Sequence, residues 1–143
     1  MTGLKKTRKG WLAGLVLPVA LIAGGMGMVS VPSQEAAAAT TTQYYALLFS
    51  YYGNEHAAAA YNTLRTTNSY NTYYCAYYAL YYAYAGYNGS GLVNFDYASQ
   101  YSYYGYYYGD LSFKANRNNV DAREALTYEL YTAYFAGYAA DGF

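Results

Sequence analysis

Twenty-five tyrosines fall between residues 44 and 138, and no proline follows residue 32. Over residues 40–143 nearly one residue in four is therefore a phenol, in a stretch free of the residue that most reliably stops a helix. A body of about 100 residues hides only about two-thirds of the surface its unfolded chain exposes. Each aromatic side chain brings roughly 150–250 Å², and Leu47, Leu48, Phe49, Leu64, Leu80, Leu126, Leu130 and Phe135 compete for the same interior. A buried phenol also needs a hydrogen-bond partner, at a cost of about 1–3 kcal/mol if left without one. The interior cannot take every ring. Many tyrosines are expected outside, with their hydroxyls in water.

Charge is sparse. Eight basic side chains balance eight acidic ones, and between Glu55 and Asp96 only Arg65 is charged. No basic footprint for nucleic acid or for a polybasic membrane contact is present. One Cys and one His exclude a disulfide framework, a Cys/His zinc site and a c-type haem attachment motif. No P-loop or dinucleotide-binding glycine pattern occurs, so neither cofactor nor metal is expected. Cys75 and His56 would make a nucleophile–base pair only if the fold brought them together. The simpler reading makes Cys75 core filler and His56, beside Glu55, a solvated residue at a helix start. The chain is read as non-enzymatic.

The N-terminus carries an address. Lys5, Lys6, Arg8 and Lys9 form a basic head, residues 11–23 an apolar middle, and the alanines at 36–39 a small-residue exit. These are the three parts of an export signal, with cleavage expected after Ala39. The alternative is an uncleaved anchor, because residues 11–31 carry no charge over a bilayer-spanning length. Pro18, Gly24, Gly25, Gly27 and Pro32 weaken such a helix. Thr7-Arg8-Lys9-Gly10-Trp11-Leu12 resembles a relaxed twin-arginine export motif, with Lys for the second Arg and Trp for the usual Phe. The expected organisation is a signal at 1–39 and a Tyr/Ala-rich helical domain at 40–143. The protein is expected in the periplasm or outside the cell, touching membrane only through its N-terminal segment if that is retained.

Periodicity predicts an all-α fold, a small bundle of helical hairpins with four to five helices. Residues 122–140 read as a helix capped by Asp121 with Glu124 three positions on. Val120 is expected to staple against Ala125, and Leu126, Leu130, Ala133, Tyr134, Gly137 and Tyr138 to share the inner face. Gly142 is the expected terminator, with Phe143 folded back behind it. Glu129 is placed on an exposed face. Residues 70–85 form a second helix, opened by Asn68 or Ser69 and closed around Gly86, Asn88 and Gly89. Gly53-Asn54 predicts a break that splits residues 43–64 into two short helices. From Asp96 a helix runs to about Tyr104 and then gives way to an irregular tyrosine loop.

An echo runs through the chain. Tyr44-Tyr45-Ala46-Leu47 returns as Tyr77-Tyr78-Ala79-Leu80, and Gly53 meets Gly86 at the same offset. Tyr128, Leu130, Tyr131 and Tyr134 repeat the spacing once more. A period of 33–34 resembles helical-hairpin repeats of the tetratricopeptide kind, without the Gly after the first Leu or the closing Pro that those repeats carry.

Uncharged aromatic surface is what interfaces look like, because Tyr is enriched there and Lys and Glu are depleted. The expected function is therefore structural. It is self-assembly or docking to an envelope protein through Tyr77, Tyr81, Tyr103, Tyr104, Tyr106, Tyr107 and Tyr108, in the bacterial envelope or outside the cell. A first alternative is a glycan-binding module that stacks polysaccharide on exposed rings, with Asn88, Asn94 and Asp96 reading the sugar edges. A second is a tyrosine-based redox or small-ligand carrier.

Overall fold

The computed structural model describes residues 39–143; all but the last residue of the expected export segment lies outside the described residues. Among those described there are four helices and no strand: α1 (Thr41–Leu64), α2 (Thr67–Tyr87), α3 (Val93–Ala115) and α4 (Val120–Ala140). Each packs on its neighbours in sequence, and α4 closes back onto α1. The diagonal pairs barely touch, which defines an up-and-down four-helix bundle.

Capping sets a register that the tyrosine echo conceals. Thr40 accepts the Gln43 N–H while Gln43 reaches back to the Thr40 N–H, and Thr66 and Ser69 do the same for α2. The four helices begin at residues 41, 67, 93 and 120. The structural step is thus about 26 residues, not 33–34. Tyr44 lies one turn into α1, whereas Tyr77 lies midway along α2. The echo is therefore not a repeat of hairpins. Arg65 ends α1 in the left-handed region at φ 54, its N–H on the Tyr61 carbonyl and its guanidinium over the Tyr61 ring. Gly89 and Gly91, at φ 89 and 108, turn the chain from α2 into α3.

Several sequence expectations fail locally. Helix α1 runs unbroken through Gly53-Asn54, and α3 runs unbroken through Gly105 to Ala115, so the expected loop is helix. Asn119, not Asp121, caps α4 by accepting the Ala122 N–H at 2.8 Å. Val120 thereby becomes the first helical residue, exposed and unable to staple. Gly142 (φ 92) does close α4, with the Phe143 N–H on the Tyr138 carbonyl and the two rings edge-on.

The largest correction concerns the buried face of α4. Ala122, Ala125, Glu129, Thr132, Ala133, Ala136, Gly137 and Ala139 are inside. Leu130, Tyr134 and Tyr138 are outside. The bundle axis is lined by small residues, continued by Ala46, Ser50, Gly53, Ala57 and Ala60 on α1 and by Ala98, Ser102, Gly105, Gly109 and Ser112 on α3. Larger side chains enter this core at few points: Phe95, Leu47 and Leu80 pack among Ala46, Ala83, Ala98 and Ala136, and Tyr73, Tyr74, Tyr77 and Tyr101 join Ala57, Ala76 and Ala79. The other tyrosines are half-buried or exposed.

Candidate functional site

Of the 25 tyrosines only Tyr73, Tyr74, Tyr77 and Tyr101 are buried. Nine are well exposed: Tyr45, Tyr81, Tyr84, Tyr97, Tyr103, Tyr107, Tyr131, Tyr134 and Tyr138. The rest are half-buried, and many of them pack ring against ring. In one seam, between α2 and α3, Tyr78 stacks on Tyr101 at 5.2 Å between centroids. Tyr82 stacks on Tyr101 at 5.7 Å and tilts against Tyr97 at 5.1 Å.

The residues singled out as a contact surface divide by helix phase. Tyr103 and Tyr107 stand out from α3 at 48% and 55% exposure, one turn apart, and Tyr81 stands out from α2 at 50%. Tyr104 and Tyr108 lie half-buried against the core cluster, and Tyr106 is half-buried too. Tyr77 belongs to the interior at 7% exposure, so its ring is not part of an outer face. A continuous α3 puts Asn94 roughly 14–21 Å along the axis from residues 103–108. The side-chain amides of Asn88 and Asn94 are spent on the carbonyls of Tyr84, Ser90 and Gly91 at the α2–α3 turn. The fold does not gather the proposed sugar-reading residues beside that tyrosine run.

A second centre lies at the bundle axis, formed by a residue expected on an exposed face. Glu129 is 0% exposed, and neither carboxyl oxygen has a hydrogen-bond partner. It lies between two glycines on opposite helices. A Cβ on Gly53 would stand 2.5 Å from Oε2, and one on Gly105 would collide with Oε1. The two residues that predicted a break and a loop are thus the space into which this carboxyl fits. A charged carboxylate without donors in such a site costs far more than a neutral acid. Burial accordingly pushes the Glu129 acid well above the usual carboxylate range. Cys75 on α2 is fully buried nearby, and burial, then the Glu129 charge, pushes its thiol up. Such a thiol is inert rather than nucleophilic. One signal could have revealed Glu129: it sits mid-run among Ala122, Ala125, Thr132, Ala133 and Ala136, at helical spacing.

His56 is not a helix-start residue but lies inside α1. Its Nδ1 meets the Asp121 carboxylate at 2.8 Å, and its ring stacks on Tyr128 at 5.6 Å. Asp121 is free to do this because Asn119 does the capping. Among the described residues no group of three or more His, Cys, Asp or Glu could hold a metal ion. No described helix is long and apolar enough to cross a membrane.

The fold and its surface thus define an all-α bundle with an alanine–glycine axis and aromatic flanks. Comparison with protein-family models, curated proteins and solved structures finds no match to this chain.

Proposed function

We propose that this chain is an exported, non-enzymatic interaction protein of the bacterial envelope or extracellular space, and that the tyrosine side of α2 and α3 docks onto a second copy of the chain. One observation carries the reading. Tyr81, Tyr84, Tyr97, Tyr103 and Tyr107 are exposed on two neighbouring helices whose sequence holds only Asp96 as a formal charge between Arg65 and Asp110. Exposed rings with so little charge lose little on desolvation and gain ring–ring contact, so like faces are mutually compatible. Export is supported by the basic head, apolar middle and alanine exit, and by Thr40, the first residue after that exit, being the N-cap of α1.

Sedimentation of the purified protein over a concentration series tests the docking reading. The expected result is growth to larger species with concentration, reduced when Tyr81, Tyr103 and Tyr107 are together replaced by Ser. A monomer at every concentration, or association indifferent to the triple replacement, would overturn it. Retention on insoluble polysaccharide without self-association would favour the glycan reading. N-terminal sequencing of the secreted protein checks export, with Thr40 expected as the first residue.

A further inference from the structure

At the C-terminal end of α4 two exposed tyrosines meet through their hydroxyls. Tyr138 Oη donates to Tyr134 Oη at 3.2 Å, and the ring centroids are 5.0 Å apart at an interplanar angle of 68°. They are four residues apart, so the helix itself holds them side by side. Exposures of 54% and 37% leave both open to solvent. Several other close pairs are less open to solvent. Tyr74 and Tyr78 are packed into the core cluster. Tyr103/Tyr104 and Tyr107/Tyr108 are sequence neighbours, each with one ring half-buried. Tyr138 also leans on the terminal Phe143 ring, whose backbone N–H bonds the Tyr138 carbonyl, and the Phe143 carbonyl accepts the Thr40 hydroxyl. The pair therefore sits where both ends of the described bundle are tied together.

We propose that Tyr134 and Tyr138 are the site of an intramolecular oxidative cross-link, a dityrosine formed by hydrogen peroxide acting through a haem peroxidase. The carbons that couple phenols are those ortho to the oxygen, and contact between the hydroxyls brings these carbons together. The oxidant removes one electron from each phenol, and each hydroxyl proton passes to water. The two phenoxyl radicals join through one ortho carbon each. The hydrogen on each joined carbon then moves to its oxygen, restoring both aromatic rings. Overall two C–H bonds are lost and one C–C bond is made, while one hydrogen peroxide is reduced to two waters. Holding the two rings in place makes the coupling effectively unimolecular, which favours it over collision between chains. The inference is independent of the docking reading, since one chain suffices.

The test treats the purified protein, diluted to where it sediments as a monomer, with a haem peroxidase and hydrogen peroxide. Dityrosine fluorescence, intact mass and a tryptic map are the readouts. The expected product is a monomer lighter by two hydrogens, with the link inside the peptide that follows Arg123. Tyr134→Phe and Tyr138→Phe should each bring the fluorescence to background, whereas Tyr131→Phe, on the same helix and equally exposed, should leave it unchanged. A link mapped elsewhere, products joined only between chains, no dityrosine in the wild type, or full yield in either Phe variant would each overturn the proposal. Fragment-ion sequencing of that wild-type peptide, which also holds Tyr128 and Tyr131, locates the link even if a variant folds poorly.

Discussion

Two aromatic seams run along opposite sides of this bundle, and they differ in what surrounds their rings. Between α1 and α4, Tyr45, Phe49 and Tyr52 meet Tyr128, Tyr131 and Phe135 at 5.4–6.0 Å. That seam ends in the partly exposed His56–Asp121 pair. Between α2 and α3 the seam is all tyrosine: Tyr74, Tyr78 and Tyr82 on successive turns of α2, against Tyr97 and Tyr101. Here burial pushes phenols up, Tyr74 and Tyr101 most, with Tyr78 and Tyr82 in the same direction; elsewhere on α2, Tyr73, whose ring meets Tyr61 of α1, is pushed up to about 12. The open seam accommodates the polar His56–Asp121 contact. The closed one has less solvent to stabilise a charge, which accounts for the absence of charged side chains among its own stacked positions.

Truncating the centre of each seam should separate them most clearly. Tyr101→Ala is expected to cost about 3–5 kcal/mol, in line with removal of a large buried aromatic. Phe49→Ala, in the half-buried seam, should cost about 2 kcal/mol on the same scale. Urea unfolding measures both, and equal losses would erase the distinction.

Next comes the acid held between the seams. The Glu129 pKa is raised in the folded chain, so its contribution is full below the unfolded value near 4.5 and is lost as pH rises towards the folded value. Stability should fall with pH above about 4.5, by up to about 1.4 kcal/mol per pH unit. Denaturation curves of Glu129→Gln should lack that slope. Gly105→Ala should cost about 1–3 kcal/mol by overpacking against the carboxyl. Part of that loss should return in the double variant with Glu129→Ala, as a double-mutant cycle would show.

Alkaline titration sharpens the contrast further. Tyr73, Tyr74 and Tyr101 are raised above their ordinary value of 10, so the stability they lend is full below pH 10 and fades as pH climbs through their folded values. Tyrosinate absorbance should show a late-ionising class that merges with the early one when the protein is unfolded in urea. The smallest effect is expected at the open seam: His56→Ala should cost about 0–1 kcal/mol, because both partners of its contact with Asp121 are partly solvated.

Particular residues show how far the sequence could be read. The helices between residues 70–85 and 122–140 and the Gly142 terminator were legible because periodicity and turn chemistry are local. Gly53 was misread as a break because glycine weakens an isolated helix, and the run after Tyr104 as a loop because it is low in complexity and Tyr also favours strands; the carboxyl that needs Gly53 and Gly105 comes from another helix. Glu129 and Leu130 were assigned inside out for a related reason. A hydrophobicity pattern ranks Leu and Tyr as core and Glu as surface, and it takes no account of how closely the backbones approach. Of the proposed contact residues, Tyr81, Tyr103 and Tyr107 lie outside, whereas the phase of α2 puts Tyr77 within.

By itself the sequence determined that this protein is helical and that it holds more phenol rings than an interior of its size accepts, because both follow from composition and short-range spacing. Which rings lie out, and which residue types line the axis, only the tertiary structure decided. Four closely packed helices leave room between them mainly for Ala, Gly and Ser, with a few large side chains such as Phe95, Leu47 and Leu80 admitted, so most tyrosines stay half-buried or exposed and a single carboxyl fills the space that two glycines leave.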